Sequence, residues 1–84
     1  MEEEKALSFG QQLVGLTFNP SGDPKVQRAK ELCAELADLI QADYLDVTLS
    51  GGIKSNLYHQ LKDHTIGEIL NAQMNVVKVL TFKY

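Results

Sequence analysis

The chain holds a single cysteine, Cys33, so no intrachain disulfide framework of the kind secreted mini-proteins use is available. It lacks a positive excess as well. Eight Lys and Arg stand against eleven Asp and Glu, a net charge of −3. Proteins that grip a long nucleic-acid backbone usually carry a basic surplus. Bulk DNA or RNA is thus disfavoured as a partner, whereas a small anion held by a few placed cations is compatible with this charge. No apolar run approaches the roughly 18 residues that a membrane span requires. The opening Met1-Glu2-Glu3-Glu4-Lys5 is acidic, the opposite of a signal peptide's basic start. Together these features predict a protein of the reducing cytoplasm with no membrane partner.

Catalytic groupings are missing too. Ser50-Gly51-Gly52-Ile53-Lys54-Ser55 approaches a phosphate loop but has no glycine before the lysine and no strand ahead of it. A hairpin loop is the plain reading. His59 and His64 are five apart, off the spacing that puts two ligands on one helix face. Cys33 falls on an apolar stripe and reads as an inert buried thiol. Glu31 and Glu35, one turn apart, read as a solvated face. No catalysis, no cofactor and no metal is expected.

What is present is helix pattern. Hydrophobic residues make up 44% of the 84 residues, ordinary for one globular domain spanning 1–84. A domain this short buries only about 60% of its unfolded surface, which makes oligomerisation a natural source of stability. The spacing of Ala6, Phe9, Leu13 and Leu16 predicts a short amphipathic helix from about Glu2 to Leu16, weakened by Gly10 and Gly15. Asn19-Pro20-Ser21-Gly22 is turn chemistry, and Asp23-Pro24 reads as an N-cap followed by a first-turn proline.

A second helix is predicted from Pro24 to about Asp46. Val26, Ala29, Cys33, Leu36 and Ile40 form its apolar face, and Leu32 and Leu39 widen it. Gln27, Glu31, Glu35 and Asp38 read as wet. After a break at Thr48-Leu49-Ser50-Gly51-Gly52, a third helix runs from about Ser55 toward Phe82. Its buried face is Leu57, Leu61, Ile66, Ile69, Leu70, Gln73, Met74, Val77 and Leu80. Thr65-Ile66-Gly67-Glu68 fits a capping box and offers a fresh start, but the unbroken register favours one continuous helix. The expected fold is all-α, a short N-terminal helix packed on a long antiparallel helical hairpin. Two such helices cannot bury stripes this wide against each other, and the surplus points to a homo-oligomer.

The candidate site is Phe18-Asn19-Pro20 with Arg28 and Lys30 just beyond. Phe18 is either a hydrophobic staple at the helix entry or a platform on which a base stacks. Arg28, the only arginine, and Lys30 point in different directions on a helix and serve two surfaces or simple solubility. Asp23 at the helix start opposes an anion there, since its carboxylate occupies the cap. Lys78 lies in the apolar run Val76-Val77-Lys78-Val79-Leu80, either snorkelling or converging with symmetry-related copies on a polyanion.

Gln27-Arg28-Ala29-Lys30-Glu31-Leu32-Cys33-Ala34-Glu35-Leu36 and Asn71-Ala72-Gln73-Met74-Asn75-Val76-Val77-Lys78-Val79-Leu80, with Phe18 ahead of the first, resemble the phage anti-CBASS cyclic-oligonucleotide sponges of the Acb/Tad-type helical hairpin domain. The resemblance covers most of the chain beyond Leu16. It implies a homohexamer in the cytoplasm of an infected bacterium. Such an assembly binds cyclic dinucleotides such as cGAMP, and cyclic trinucleotides, without cleaving them and withholds them from CBASS effectors. By position, Phe18 would stack on a base and Lys30 would face a phosphate, with Asn19 in the same cyclic-dinucleotide site. Arg28 and Lys78 would belong to a second, trinucleotide pocket. The chain departs from the family at Phe18, where tyrosine is familiar, and in a shorter turn between Phe18 and Lys30. A lysine where an arginine is familiar, at Lys78, keeps charge but loses the bidentate fork. The rival reading is a structural or adaptor protein whose apolar stripes meet a protein partner.

Overall fold

The computed structural model describes residues 6–49 and 55–83. Three helices account for most of them: α1 (Phe9–Val14), α2 (Pro24–Leu49) and α3 (Asn56–Leu80).

Helix α1 is much shorter than its hydrophobic spacing suggests. Ala6 and Leu7 are not helical, and Glu2 to Lys5 lie outside the described residues. Ser8 decides the start. Its hydroxyl accepts the Gln11 backbone N–H, while the Gln11 side chain accepts the Ser8 N–H at 2.9 Å. This reciprocal pair satisfies two amide donors that the first turn would otherwise leave without acceptors. Gly15, in the left-handed region with φ 62°, closes the helix six residues later.

Pro24 opens α2 as the sequence predicts, with Asp23 Oδ1 accepting the Lys25 N–H at 2.8 Å. The helix runs past Asp46 to Leu49, where Thr48 Oγ1 donates to the Tyr44 carbonyl at 2.8 Å. The glycine pair and the rest of 50–54 lie outside the described residues. Ser55 caps α3, accepting from the Tyr58 N–H. The helix is unbroken through Thr65, whose hydroxyl donates back to the Leu61 carbonyl at 2.7 Å instead of capping a new start. It stops at Leu80 rather than Phe82, where Thr81 supplies the C-cap.

α2 and α3 form an antiparallel hairpin. Near its closed end Tyr44 meets His59 edge-on at 6.0 Å, and the Tyr58 hydroxyl donates to Asp43 at 2.9 Å. At the open end Val26 and Lys30 lie across from Gln73 and Val77. α1 packs on the first half of α2. The approach is close enough that a Cβ on Gly10 would sit 2.0 Å from the Ala34 carbonyl oxygen. Gly10 therefore weakens α1 as a helix but is what lets α1 dock. Asp38, expected to be wet, is half-buried and binds α1: its carboxylate accepts the Gly10 N–H at 2.6 Å and the Ser8 hydroxyl at 2.7 Å.

The apolar stripes are only partly covered. The buried hydrophobic residues are mostly small: Val14, Val26, Ala29, Ala34, Ala37 and Ile69. Leu32, Leu36 and Leu39 of α2 and Leu57, Leu61 and Met74 of α3, expected on buried faces, are exposed, Leu39 at 68% and Leu57 at 71%. The reason is geometric. The chain is 12 Å deep in its thinnest direction, a single layer of helices, so each long helix keeps uncovered flanks. The accessible surface is 6577 Å², whereas a compact monomer of this mass exposes about 5,000 Å².

Candidate functional site

The turn between α1 and α2, the start of α2 and the last turns of α3 enclose a groove of about 400 Å³. Phe18, Asn19, Pro20 and Ser21 form its rim, Val26 and Lys30 one wall, and Gln73, Met74, Val77 and Thr81 the other. This volume lies in the range of small-molecule sites.

The turn is held from within. The Phe18 N–H donates to the Gly15 carbonyl at 2.9 Å, and the Gly22 N–H to the Asn19 carbonyl at 3.1 Å. Gly22 takes a φ of 64°, a conformation that favours glycine. The Asn19 side chain braces the same turn. Its amide donates to the Asp23 carbonyl at 3.2 Å and reaches Gln27 at 3.4 Å, while its oxygen accepts the Ser21 hydroxyl at 2.8 Å. Asn19 thus lines the groove as part of its frame.

Lys30 is 6% exposed, unusual for a lysine. Its ammonium donates to the Gly15 carbonyl at 3.0 Å and to the Phe18 carbonyl. The same ammonium lies 5.5 Å from the centre of the Phe18 ring. An ammonium has three donors, and these two carbonyls occupy two of them. Lys30 ties the end of α1 and the turn to α2, with one N–H left for another acceptor. Phe18 is not a buried staple: it is 70% exposed, so its ring stands at the rim where a flat partner can reach it.

Phe18, Asn19 and Lys30 therefore come together. Arg28 does not join them. It sits two residues from Lys30, about 160° around the helix, where it is exposed and pairs with Glu31 at 3.3 Å and Glu35 at 3.8 Å. Lys78 is exposed in the last turn of α3, where its charge complements the negative end of the helix. Neither residue lines the groove. Reading the sequence passed over Gln73 as a wall of this site. The available signal was a carboxamide inside an otherwise apolar helical stripe.

A second groove, of about 390 Å³, lies toward the closed end of the hairpin between Leu39, Ile40 and Asp43 of α2 and Tyr58, Leu61, Lys62 and Thr65 of α3. Desolvation first, and then the bond to the Asp43 carboxylate, push the Tyr58 hydroxyl above its ordinary pKa. Lys62 lies 4.1 Å from the Tyr44 ring centre and pairs with Asp63 at 3.1 Å. Burial also raises the Cys33 thiol, which lowers its thiolate fraction and its nucleophilicity. His59 and His64 serve separate contacts, His59 against Tyr44 and Tyr58 and His64 with Glu68 at 3.1 Å. Among the described residues, no three His, Cys, Asp or Glu side chains group as metal ligands, and no helix is long and apolar enough to cross a membrane. No family model, curated protein or solved structure matches this chain.

Proposed function

We propose that this protein binds and sequesters cyclic oligonucleotides without cleaving them, acting as a phage anti-CBASS sponge in the host cytoplasm. One observation carries the reading: an exposed aromatic ring and a buried ammonium share one groove of small-molecule size. A base stacking on Phe18 contributes about 1–3 kcal/mol. The remaining Lys30 donor meets phosphate, and the apolar walls pack against the rest of the ligand. The residues sequence reasoning assigned to a trinucleotide pocket, Arg28 and Lys78, lie outside this groove. A second pocket built on them requires more than one copy of the chain.

The uncovered leucines support assembly. The surface excess over a compact monomer is about 1,600 Å² (6577 Å² less about 5,000 Å²). Permanent interfaces bury roughly 1,000–2,500 Å² per partner. A homo-oligomer, with a hexamer as the form the resemblance implies, also suits the affinity a sponge needs. A nanomolar Kd corresponds to about 12 kcal/mol, more than one open groove with one ring and one ammonium supplies. Grooves joined across subunits double the contacts.

Titration calorimetry with cGAMP, other cyclic dinucleotides and cyclic trinucleotides tests the proposal, with mass spectrometry of the ligand after heat release. Tight binding and intact ligand are expected. The adaptor reading is favoured by the same exposed leucines. It gains ground if no cyclic nucleotide raises the melting temperature at any concentration.

A further inference from the structure

Among the described residues the buried polar side chains are Lys30 and Gln73, and they differ in one respect. The ammonium of Lys30 is bonded. The carboxamide of Gln73, on a residue only 5% exposed, has no hydrogen-bond partner among the described residues. Yet no solvent-sealed side-chain nitrogen or oxygen there is left unsatisfied. The Gln73 carboxamide therefore keeps an opening, and the residue lines the groove beside Phe18 and Lys30. Its neighbours on the stripe, Ile69, Leu70 and Val77, show what packing alone favours at this position. A glutamine there has polar atoms that no hydrogen bond among the described residues uses.

We propose that Gln73 is the specificity residue of this groove and that it selects adenine as the base stacked on Phe18. The inference rests on the cyclic-nucleotide reading given above. A carboxamide carries a donor and an acceptor side by side, which match the N7 acceptor and N6 donor of adenine in a bidentate pair. Guanine offers two acceptors, O6 and N7, along the same edge. Against them the Gln73 amide group finds an acceptor, but its oxygen faces another oxygen. In a groove with apolar walls that unpaired oxygen is costly, so adenine is preferred.

The test compares calorimetric Kd values for cyclic di-AMP and cyclic di-GMP on the full chain, for wild type, Gln73→Met and Gln73→Glu, with ligand-free melting temperatures alongside. Wild type is expected to favour cyclic di-AMP by about tenfold or more. Gln73→Met is expected to bring the two Kd values together while melting at the same or a higher temperature, since a similar-sized apolar side chain replaces an unbonded carboxamide. Gln73→Glu keeps the shape but only accepts, so on this edge it keeps the adenine N6 donor and meets only acceptors on guanine; both ligands bind more weakly and cyclic di-AMP stays preferred. Equal wild-type affinities, or a preference that survives in Gln73→Met, overturn the assignment and leave the sponge reading standing. Lost preference with a lowered melting temperature in Gln73→Met also overturns it, because that is the behaviour of a packing residue. Binding of neither ligand by wild type removes the sponge reading and this inference with it.

Discussion

The α1 end of the molecule and the outer flanks of the long hairpin are built on different principles. Around α1, order comes from polar bonds with single geometries: Ser8 and Gly10 on Asp38, and Gly15 and Phe18 on Lys30. Backbones approach there as closely as a missing Cβ permits. Along the hairpin flanks, Leu32, Leu36, Leu39, Leu57 and Leu61 are exposed by half or more of their surface. The first region fixes a shape and the second leaves a hydrophobic driving force uncollected. In the proposed assembly the groove's precision and the stability drawn from the leucines would come from different regions of the chain.

Substitutions sharpen or break this contrast, beginning with the α1 contact. Gly10→Val places atoms on the Ala34 carbonyl and is expected to destabilise by more than about 4 kcal/mol or to detach α1. Chemical denaturation reads the first outcome, and amide exchange at residues 8–15 reads the second. If Gly10→Val melts like wild type, α1 does not pack closely on α2 at Ala34.

Next comes the flank. Leu39→Glu places a charge on the uncovered stripe. It should cost about 2–4 kcal/mol of association, seen as a fall in mass by light scattering, with α1 still protected from exchange. An unchanged mass would remove this stripe from any interface.

Asp38→Ala is expected to cost about 2–3 kcal/mol, since it removes the acceptor of two bonds that its carboxylate receives. Asp38→Asn retains part of this. Thermal melts of the two variants should rank Asn above Ala.

Phe18→Ala separates binding from folding. The ring is exposed, so stability should change by less than about 0.5 kcal/mol, while cyclic-dinucleotide affinity falls at least about tenfold. Lys30→Ala is a less clean probe, because the ammonium also holds two carbonyls of the turn. Its loss should lower both affinity and melting temperature. Smallest of all, Arg28→Ala should change stability by no more than about 0.5 kcal/mol, given that its ion pairs are open to solvent. A larger loss of trinucleotide binding than of dinucleotide binding in that variant would mark a second pocket made by neighbouring copies.

Helix identity and most boundaries were legible from local chemistry. Asp23-Pro24 marked one start, and the unbroken register from Leu61 to Leu80 argued correctly against a break at Thr65. The first helix was misjudged because hydrophobic spacing outweighed Ser8 and Gln11, whose reciprocal capping makes a short, sharply bounded turn of helix. In the groove, Phe18, Asn19 and Lys30 were found because they cluster along the chain. Gln73 was not, because a single helix stripe does not disclose which of its members faces an opening.

By itself the sequence determined where the two long helices form and which of their faces are apolar, since both depend on neighbours a few residues away, and its composition fixed the negative net charge. Only the tertiary structure decided that Asp38 and Lys30 are internal ties, that Gln73 has no hydrogen-bond partner among the described residues, and that nine of the twelve leucines remain exposed. Those outcomes depend on how a one-layer arrangement divides each helix between contact and solvent. Burial is a property of what lies opposite a side chain, which no local pattern specifies.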